Sequence, residues 1–345
     1  MVGRRLVNLV AKHKTTAVTM IIGFIAGPII GYWITQWYVE EITTTSSDLA
    51  RHLENGNASK FNEDRNQINE QIVLTGLDLS GKDLEGANLN SIIILYSNLS
   101  NTNLQNSTLE NAQISGDLSE IDLRNAYLLN ADLSGADLTD ANLVNANLSR
   151  ANLIDANLYG ANLTGAILSG ADLTRAYLDT ANLTGAYLNN SGLSYANLAG
   201  ANLTGAYLWD AYLTNAYLAG AYLTDANLAG ADLTEANLEG AYLNSSSLFE
   251  ANLAGADLSG ANLTRADLTR ANLAGADLTN ARLKFTDLTN TFVLNANLTN
   301  VALNLAKLNG ATFDCISLKS ANLTAVNVSQ VHIVDSNGNE VSSCN

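Results

Sequence analysis

The chain has 345 residues, of which 47% are hydrophobic and 14% charged, and 17 Lys and Arg against 33 Asp and Glu give a formal charge of -16. That charge disfavours unaided binding to nucleic-acid phosphates. Abundant leucine at low charge content excludes the composition of a disordered chain, and two cysteines are too few for a disulfide framework.

The predicted elements begin with a basic tail, residues 1–14, carrying Arg4, Arg5, Lys12 and Lys14. Residues 15–39 hold no charged side chain, and their centre, Ala17 to Ile34, is strongly apolar. Helix of this length spans about 37 Å, enough for a ~30 Å hydrocarbon core with some tilt. Trp33, Trp37 and Tyr38 stand where an interfacial aromatic belt anchors the far end. No A-x-A-like cleavage site follows the apolar core, so the segment reads as an uncleaved transmembrane signal anchor. The positive-inside rule then sets residues 1–14 in the cytoplasm and the rest of the chain across the membrane. Gly23, Gly27 and Gly31 form a G-x-x-x-G-x-x-x-G face through which two copies can homodimerise, although glycine is common in membrane helices for other reasons.

Residues 40–71 are polar and read as a stalk and N-terminal cap. Ser47 is placed to cap a short helix through Glu54 that stops near Asn55-Gly56. A second helical stretch, Lys60 to Val73, offers Phe61, Ile68 and Ile72 to the element that follows.

From residue 72 to 335 the chain is a repeat. An apolar residue recurs every fifth position, first in nine units from Leu74 to Ile114, then in 44 from Leu118 to Ile333. The step from Ile114 to Leu118 is four, so one residue is missing at Ser115–Asp117. Two residues before each Leu stands a small residue, usually Ala, and the unit reads A-(N/D/Y)-L-(T/S)-x, as in Ala161-Asn162-Leu163-Thr164-Gly165. A period of five matches neither the α-helix nor simple strand alternation. Ala and Leu, two apart, share one side of extended backbone and fill a narrow core, while the other three positions face solvent. Coils stacked on themselves satisfy the backbone through ladder hydrogen bonds. Irregular inward residues gather at the ends: Ile72, Leu77 and Lys82, then Val301, Ile316, Val326 and Val331.

In these units, such as Ala131-Asp132-Leu133-Ser134-Gly135 and Ala181-Asn182-Leu183-Thr184-Gly185, the chain resembles the pentapeptide-repeat proteins. The resemblance implies an all-β fold, a right-handed quadrilateral β-helix with four pentapeptides per coil, and an inward central Leu (Leu163, Leu183, Leu203 and Leu223 in one stack). The 53 units then make about 13 coils and a solenoid about 60 Å long at a ~4.8 Å spacing. Residues 336–345 form a C-terminal tail.

Nothing in the sequence assembles a catalytic, cofactor or metal site. His13, His52 and His332 are far apart in the chain, and no phosphate-cradling loop, Cys/His cluster or nucleophile elbow occurs. Cys315, two residues after Phe313, is expected to point outward, and Cys344 lies in the tail. Two unrelated thiols are the favoured reading, with a tail-pinning disulfide as the alternative in an oxidising compartment. Specificity must therefore lie on outward positions. The slot before the central Leu is Tyr at Tyr177, Tyr187, Tyr207, Tyr212, Tyr217, Tyr222 and Tyr242, with Trp209 in the same stretch. Four units per coil put Tyr207, Tyr212, Tyr217 and Tyr222 on all four faces, Tyr187 beside Tyr207 and Tyr222 beside Tyr242. Exposed aromatic clusters mark partner surfaces; the plainer alternative is that Tyr is a good strand residue packing on its coil neighbours.

The resemblance also includes cytoplasmic relatives that protect DNA gyrase by imitating DNA. From Asp117 onward 22 acidic residues oppose nine basic ones. A duplex mimic needs unbroken acidic rows, whereas the row Asp117, Asp137, Asn157, Tyr177, Asn197, Tyr217, Asn237, Asp257, Asp277 is interrupted. A Thr column (Thr164, Thr184, Thr204, Thr224) follows the ordinary turn preference of the repeat. N-L-T sequons within the repeat, as at Asn162 and Asn182, disfavour an endoplasmic-reticulum lumen, where glycans would crowd stacked coils. The sequence thus points to a non-enzymatic scaffold in a bacterial membrane. One span holds its repeat domain in the periplasm or an equivalent lumen, where it meets a protein partner; the DNA mimic is the alternative.

Overall fold

A computed structural model describes residues 46–345 apart from 69, 304, 322–329, 336, 337, 343 and 345. The chain divides into two compact units, Met1–His52 and Leu53–Asn345. The basic tail, the expected membrane span at 15–39 and its Gly23, Gly27 and Gly31 lie outside the described residues. Among the described residues no helix is long and apolar enough to cross a membrane.

Residues 46–54 are helical, so Ser47 sits within the helical stretch and does not cap it. Gly56, at φ 67°, closes that stretch, its N–H donating to the Leu53 carbonyl at 2.8 Å. The second helix, α1 (Ala58–Arg65), is shorter than the expected Lys60 to Val73. Asn57 caps it by accepting from the Lys60 N–H, and after Arg65 the chain turns to enter the first strand. Phe61 is fully buried.

The solenoid opens with strands β1 (Val73–Thr75), β2 (Ile93–Asn98) and β3 (Gln113–Asp117), paired in parallel. It closes with β4 (Phe292–Val293), β5 (Thr312–Asp314) and β6 (His332–Val334), also parallel. Between them single parallel bridges join residues 20 apart, such as Asn162 to Asn182 and Asn182 to Asn202. The result is a right-handed β-solenoid of about 13 turns. Four columns of outward residues run along it. Face 1 passes from Val73 through Tyr212 to His332, face 2 from Asp78 through Tyr217 to Asn297, face 3 from Asp83 through Tyr222 to Ala302, and face 4 from Asn88 through Tyr207 to Lys307.

One unit explains why the motif reads as it does. In Ala161–Gly165 the Ala161 N–H closes a tight turn onto the Leu158 carbonyl at 3.0 Å. Asn162 donates down to Ala141, while Leu163 and Gly165 donate up to Asn182 and Thr184, all within 3.0 Å. The remaining N–H, that of Thr164, finds the Asn162 side-chain oxygen at 3.2 Å. All five donors are thus satisfied, and Asx is preferred before Leu because its carbonyl oxygen holds the N–H two residues on. The fifth residue sits at positive φ in unit after unit (Gly135, Asp140, Asn145, Arg150), the i+2 requirement of a type II turn.

Inward, Leu163, Leu183, Leu203 and Leu223 are completely buried, as are the alanines beside them. Each leucine contributes roughly 2 kcal/mol, against the conformational entropy of ordering five residues, so no unit is stable alone. Where Ser or Thr replaces the Ala, the hydroxyl is buried but bonded: Ser191 and Ser246 donate to the leucine carbonyl of their own turn, Thr286 to that of the coil below.

The missing residue lies where the period slips. The register changes from Ile94↔Ile114 to Ser97↔Gly116, so one coil has 19 residues. Gly116 takes φ 129°, and a Cβ there would lie 2.2 Å from the Ser97 carbonyl oxygen.

The C-terminal end departs from expectation. The period-five pattern runs through Leu318, Leu323 and Val328, yet Cys315–Ser320 is helix α2. Asp314 causes the change: its Oδ1 accepts the Ser317 N–H and its Oδ2 the Asn295 N–H, both at 2.7 Å, which caps the helix and ends the ladder. Ile316, expected inward, therefore points out and is 65% exposed, while Val334 rather than Ile333 is buried on β6. Cys315 and Cys344 are joined in a disulfide, against the favoured reading of two unrelated thiols. Helix α2 and the returning tail bring them together, with Val341 donating to the Ile333 carbonyl at 2.8 Å.

Candidate interaction surface

The coil pitch dictates how outward side chains meet: like positions stand one ladder spacing apart, the distance at which aromatic rings stack. Tyr187 and Tyr207 on face 4 have ring centroids 4.9 Å apart and planes 5° from parallel. Tyr222 and Tyr242 on face 3 stack at 5.0 Å and 3°. Tyr207, Tyr212, Tyr217 and Tyr222 follow one another around a single coil. Trp209 lies in the turn between faces 4 and 1. All eight of the outward aromatic residues named from the sequence, Tyr177 included, are exposed, between 40% and 57%. The structure brings two pairs into contact but does not gather the eight onto one face; they form a belt. Tyr177 and Tyr217 share face 2 with Asn197 between them.

A tyrosine in this slot offers no carbonyl oxygen to the N–H two residues on. The following threonines turn instead to the coil above, Thr214 to Asp232 at 3.1 Å and Thr224 to Asn244 at 3.1 Å. In these two units the threonine hydroxyl thus bonds the coil above instead of an Asx oxygen in its own turn.

Charge follows the same columns. Arg175 forks onto Asp155, Arg270 bonds Glu250 and Lys307 bonds Asp287, each pair 20 residues apart. Hydrogen bonding to Arg175 holds the exposed Asp155 carboxyl below its ordinary range. For Asp287, burial pushes upward but is outweighed by hydrogen bonds from Lys307 and Thr289, and the net shift is downward. The acidic row on face 2 is a true column, and its aspartates are separated by Asn157, Tyr177, Asn197, Tyr217 and Asn237. Among the described residues no group of His, Cys, Asp and Glu is placed to hold a metal ion.

One feature was missed by sequence reasoning. At the turn between faces 3 and 4, Arg265, Phe285 and Leu305 occupy the same position on successive coils, all exposed. The Arg265 guanidinium carbon lies 5.9 Å, and Lys284 Nζ 5.1 Å, from the Phe285 ring centre. Stepping by 20 from Arg265 reveals the column.

The family described as pentapeptide repeats matches in eight copies, at residues 83–116, 117–155, 156–194, 171–210, 181–218, 211–248, 246–284 and 276–314. Among solved structures the chain is similar to HetL, a pentapeptide-repeat protein involved in heterocyst differentiation regulation in the cyanobacterium Nostoc sp. strain PCC 7120. The identity is 37% over 64% of this chain and 90% of HetL, with a TM-score of 0.35. It is also similar to the plasmid-mediated fluoroquinolone resistance protein QnrB1, at 17% identity over 52% of this chain and 95% of that one, with a TM-score of 0.46. A pentapeptide-repeat protein of the Arabidopsis thaliana thylakoid lumen is 35% identical over 27% of this chain and 65% of its own, with a TM-score of 0.26. No individually curated protein matches the chain.

Proposed function

Because the chain belongs to the pentapeptide-repeat family and its β-solenoid presents long regular faces, we propose that it is a non-enzymatic scaffold that binds a protein partner through its aromatic belt. The observation that carries this reading is the pair of exposed tyrosine stacks, Tyr187–Tyr207 and Tyr222–Tyr242, with Trp209 nearby. Rigid aromatic side chains supply contact area at low entropic cost, and their hydroxyls add hydrogen bonds. The scaffold is tethered to a bacterial membrane by residues 15–39, with its repeat domain on the extracytoplasmic side. The Cys315–Cys344 disulfide supports an oxidising compartment, and the interrupted aspartate column favours a protein partner over imitation of DNA.

The test is cross-linking in cells with the full chain and a Tyr207→Ser/Trp209→Ser variant. The expected result is loss of the principal cross-linked product while the fold is retained; an unchanged set of products contradicts the reading. A reporter fused after Asn345 is expected to be active only outside the cytoplasm, and a cytoplasmic signal contradicts the topology.

A further inference from the structure

The solenoid is electrically polar along its length. Residues 46–260 carry 25 acidic and seven basic side chains, whereas residues 261–320 carry four acidic and six basic. Only face 3 turns this polarity into a pattern. It begins with Asp83 and, in the turn beside it, Glu85; ten rungs later, one before its last residue Ala302, it carries Arg282 and Lys284. Between them one rung is charged, Asp122 with Arg124, which pair with each other, and the seven rungs from Asn142 to Asn262 and from Val144 to Thr264 carry no charge in either column. Asp83, Glu85, Arg282 and Lys284 are all exposed. Asp83 and Glu85 receive hydrogen bonds from the neutral amides of Asn103 and Asn106. Among the described residues none of the four has an ion-pair partner, unlike Asp155, Glu250 and Asp287 on other columns.

From this arrangement we infer that face 3 pairs antiparallel with face 3 of a second copy, the acidic start of each lying on the basic end of the other. A two-fold axis in the plane of the face, perpendicular to the solenoid, reverses the coil order while keeping each column opposite itself. Centred on the Asn182 rung, it sets Asp83 against Arg282 and Glu85 against Lys284 twice over, about 48 Å apart at ~4.8 Å per rung. The same operation sets Phe285 against Gly86, a position with no heavy atom within 4 Å of where its Cβ would be. Phe285 is 46% exposed and held at φ 62°, where a bulky residue is strained, and within its own chain its ring meets only the Arg265 and Lys284 cations among the ring contacts of the described residues. Face 2 cannot pair in this way, because aspartates stand toward both its ends (Asp78, Asp117 and Asp137, then Asp257 and Asp277). A parallel pairing of face 3 sets like charges together. Tyr222 and Tyr242 lie inside this contact, so a protein held by the belt of the paired chain meets it through Tyr187 and Tyr207 on face 4, which stay free.

The full chain, held in mild detergent, is followed by sedimentation at low and high salt. The expected result is a dimer that Arg282→Glu/Lys284→Glu weakens by at least about tenfold. Asp83→Lys/Glu85→Lys weakens it similarly, and the chain with all four changes regains most of the affinity because complementarity is restored with its sign reversed. A zero-length carbodiimide cross-link between Glu85 and Lys284 is expected only between copies, which isotope-mixed samples distinguish. A monomer at every concentration contradicts the inference. So does a dimer indifferent to both charge reversals, as a dimer held by Gly23, Gly27 and Gly31 would be, or a four-fold variant that stays as weak as the single-end variants.

Discussion

The middle coils and the two ends face the same problem, a row of backbone donors and acceptors that must be satisfied, and solve it with different chemistry. In the middle, the unit repeats its own solution: every rung is the partner of the rung above, and wherever Asn or Asp precedes the leucine its side chain can supply the one bond the ladder omits. At the start there is no rung below. Asn62 on α1 takes its place, donating to the Gly86 carbonyl at 2.9 Å and accepting the Asn88 N–H at 2.7 Å, while Arg65 reaches the Asn90 carbonyl. At the finish, hydroxyls of α2 accept where carbonyls would, Ser317 from the Ala296 N–H and Ser320 from the Leu298 N–H, both at 2.9 Å. A five-residue code can therefore propagate a solenoid but cannot begin or end one; the ends need side chains that occur once. Covering both edges also removes a template for edge-to-edge association.

That contrast can be broken from the middle outward. Leu183→Ala empties part of a fully buried stack and is expected to cost about 4 kcal/mol in urea unfolding. Gly116→Ala, at the short coil, is expected to cost about 3 kcal/mol, since both its φ of 129° and the Ser97 carbonyl forbid a Cβ. Cys315→Ser is expected to cost about 2 kcal/mol, with the loss of amide protection confined to β5, α2 and β6. Protection lost across the middle coils would mean that the ends do not behave as separate caps. Smallest is Gly185→Ala, in an open turn at φ 63°, expected to cost about 1 kcal/mol. Equal costs at Gly116 and Gly185 would remove the distinction between the short coil and the regular ones.

Much of the solenoid is legible in the sequence because each unit repeats the same demand: small and Leu residues inward, Asx before Leu, a turn residue last. Even the slip at Ser115–Asp117 shows as a step of four. The four-sided coil came from the family resemblance, and with it the tyrosine pairs could be placed. The C-terminal end was misread because Phe313 and Leu318 keep the period across a helix start. The signal there was Asp314, a capping residue three before Ser317, and not the apolar pattern. The charged ends of face 3 were overlooked for a different reason: they are ten rungs apart, and only pairing residues 20 apart puts Asp83 and Arg282 in one column.

Amide hydrogen exchange, resolved residue by residue across units such as Ala161–Gly165 and Ala181–Gly185, bears most directly on the stacked five-residue rungs. The leucine amides Leu163 and Leu183, bonded to the coil above, are expected to exchange slowest. Thr164 and Thr184, held only by the preceding Asn side chain, are expected to exchange fastest, so that protection rises and falls with a period of five. Uniform protection along the repeat, or a period near 3.6, would contradict the account.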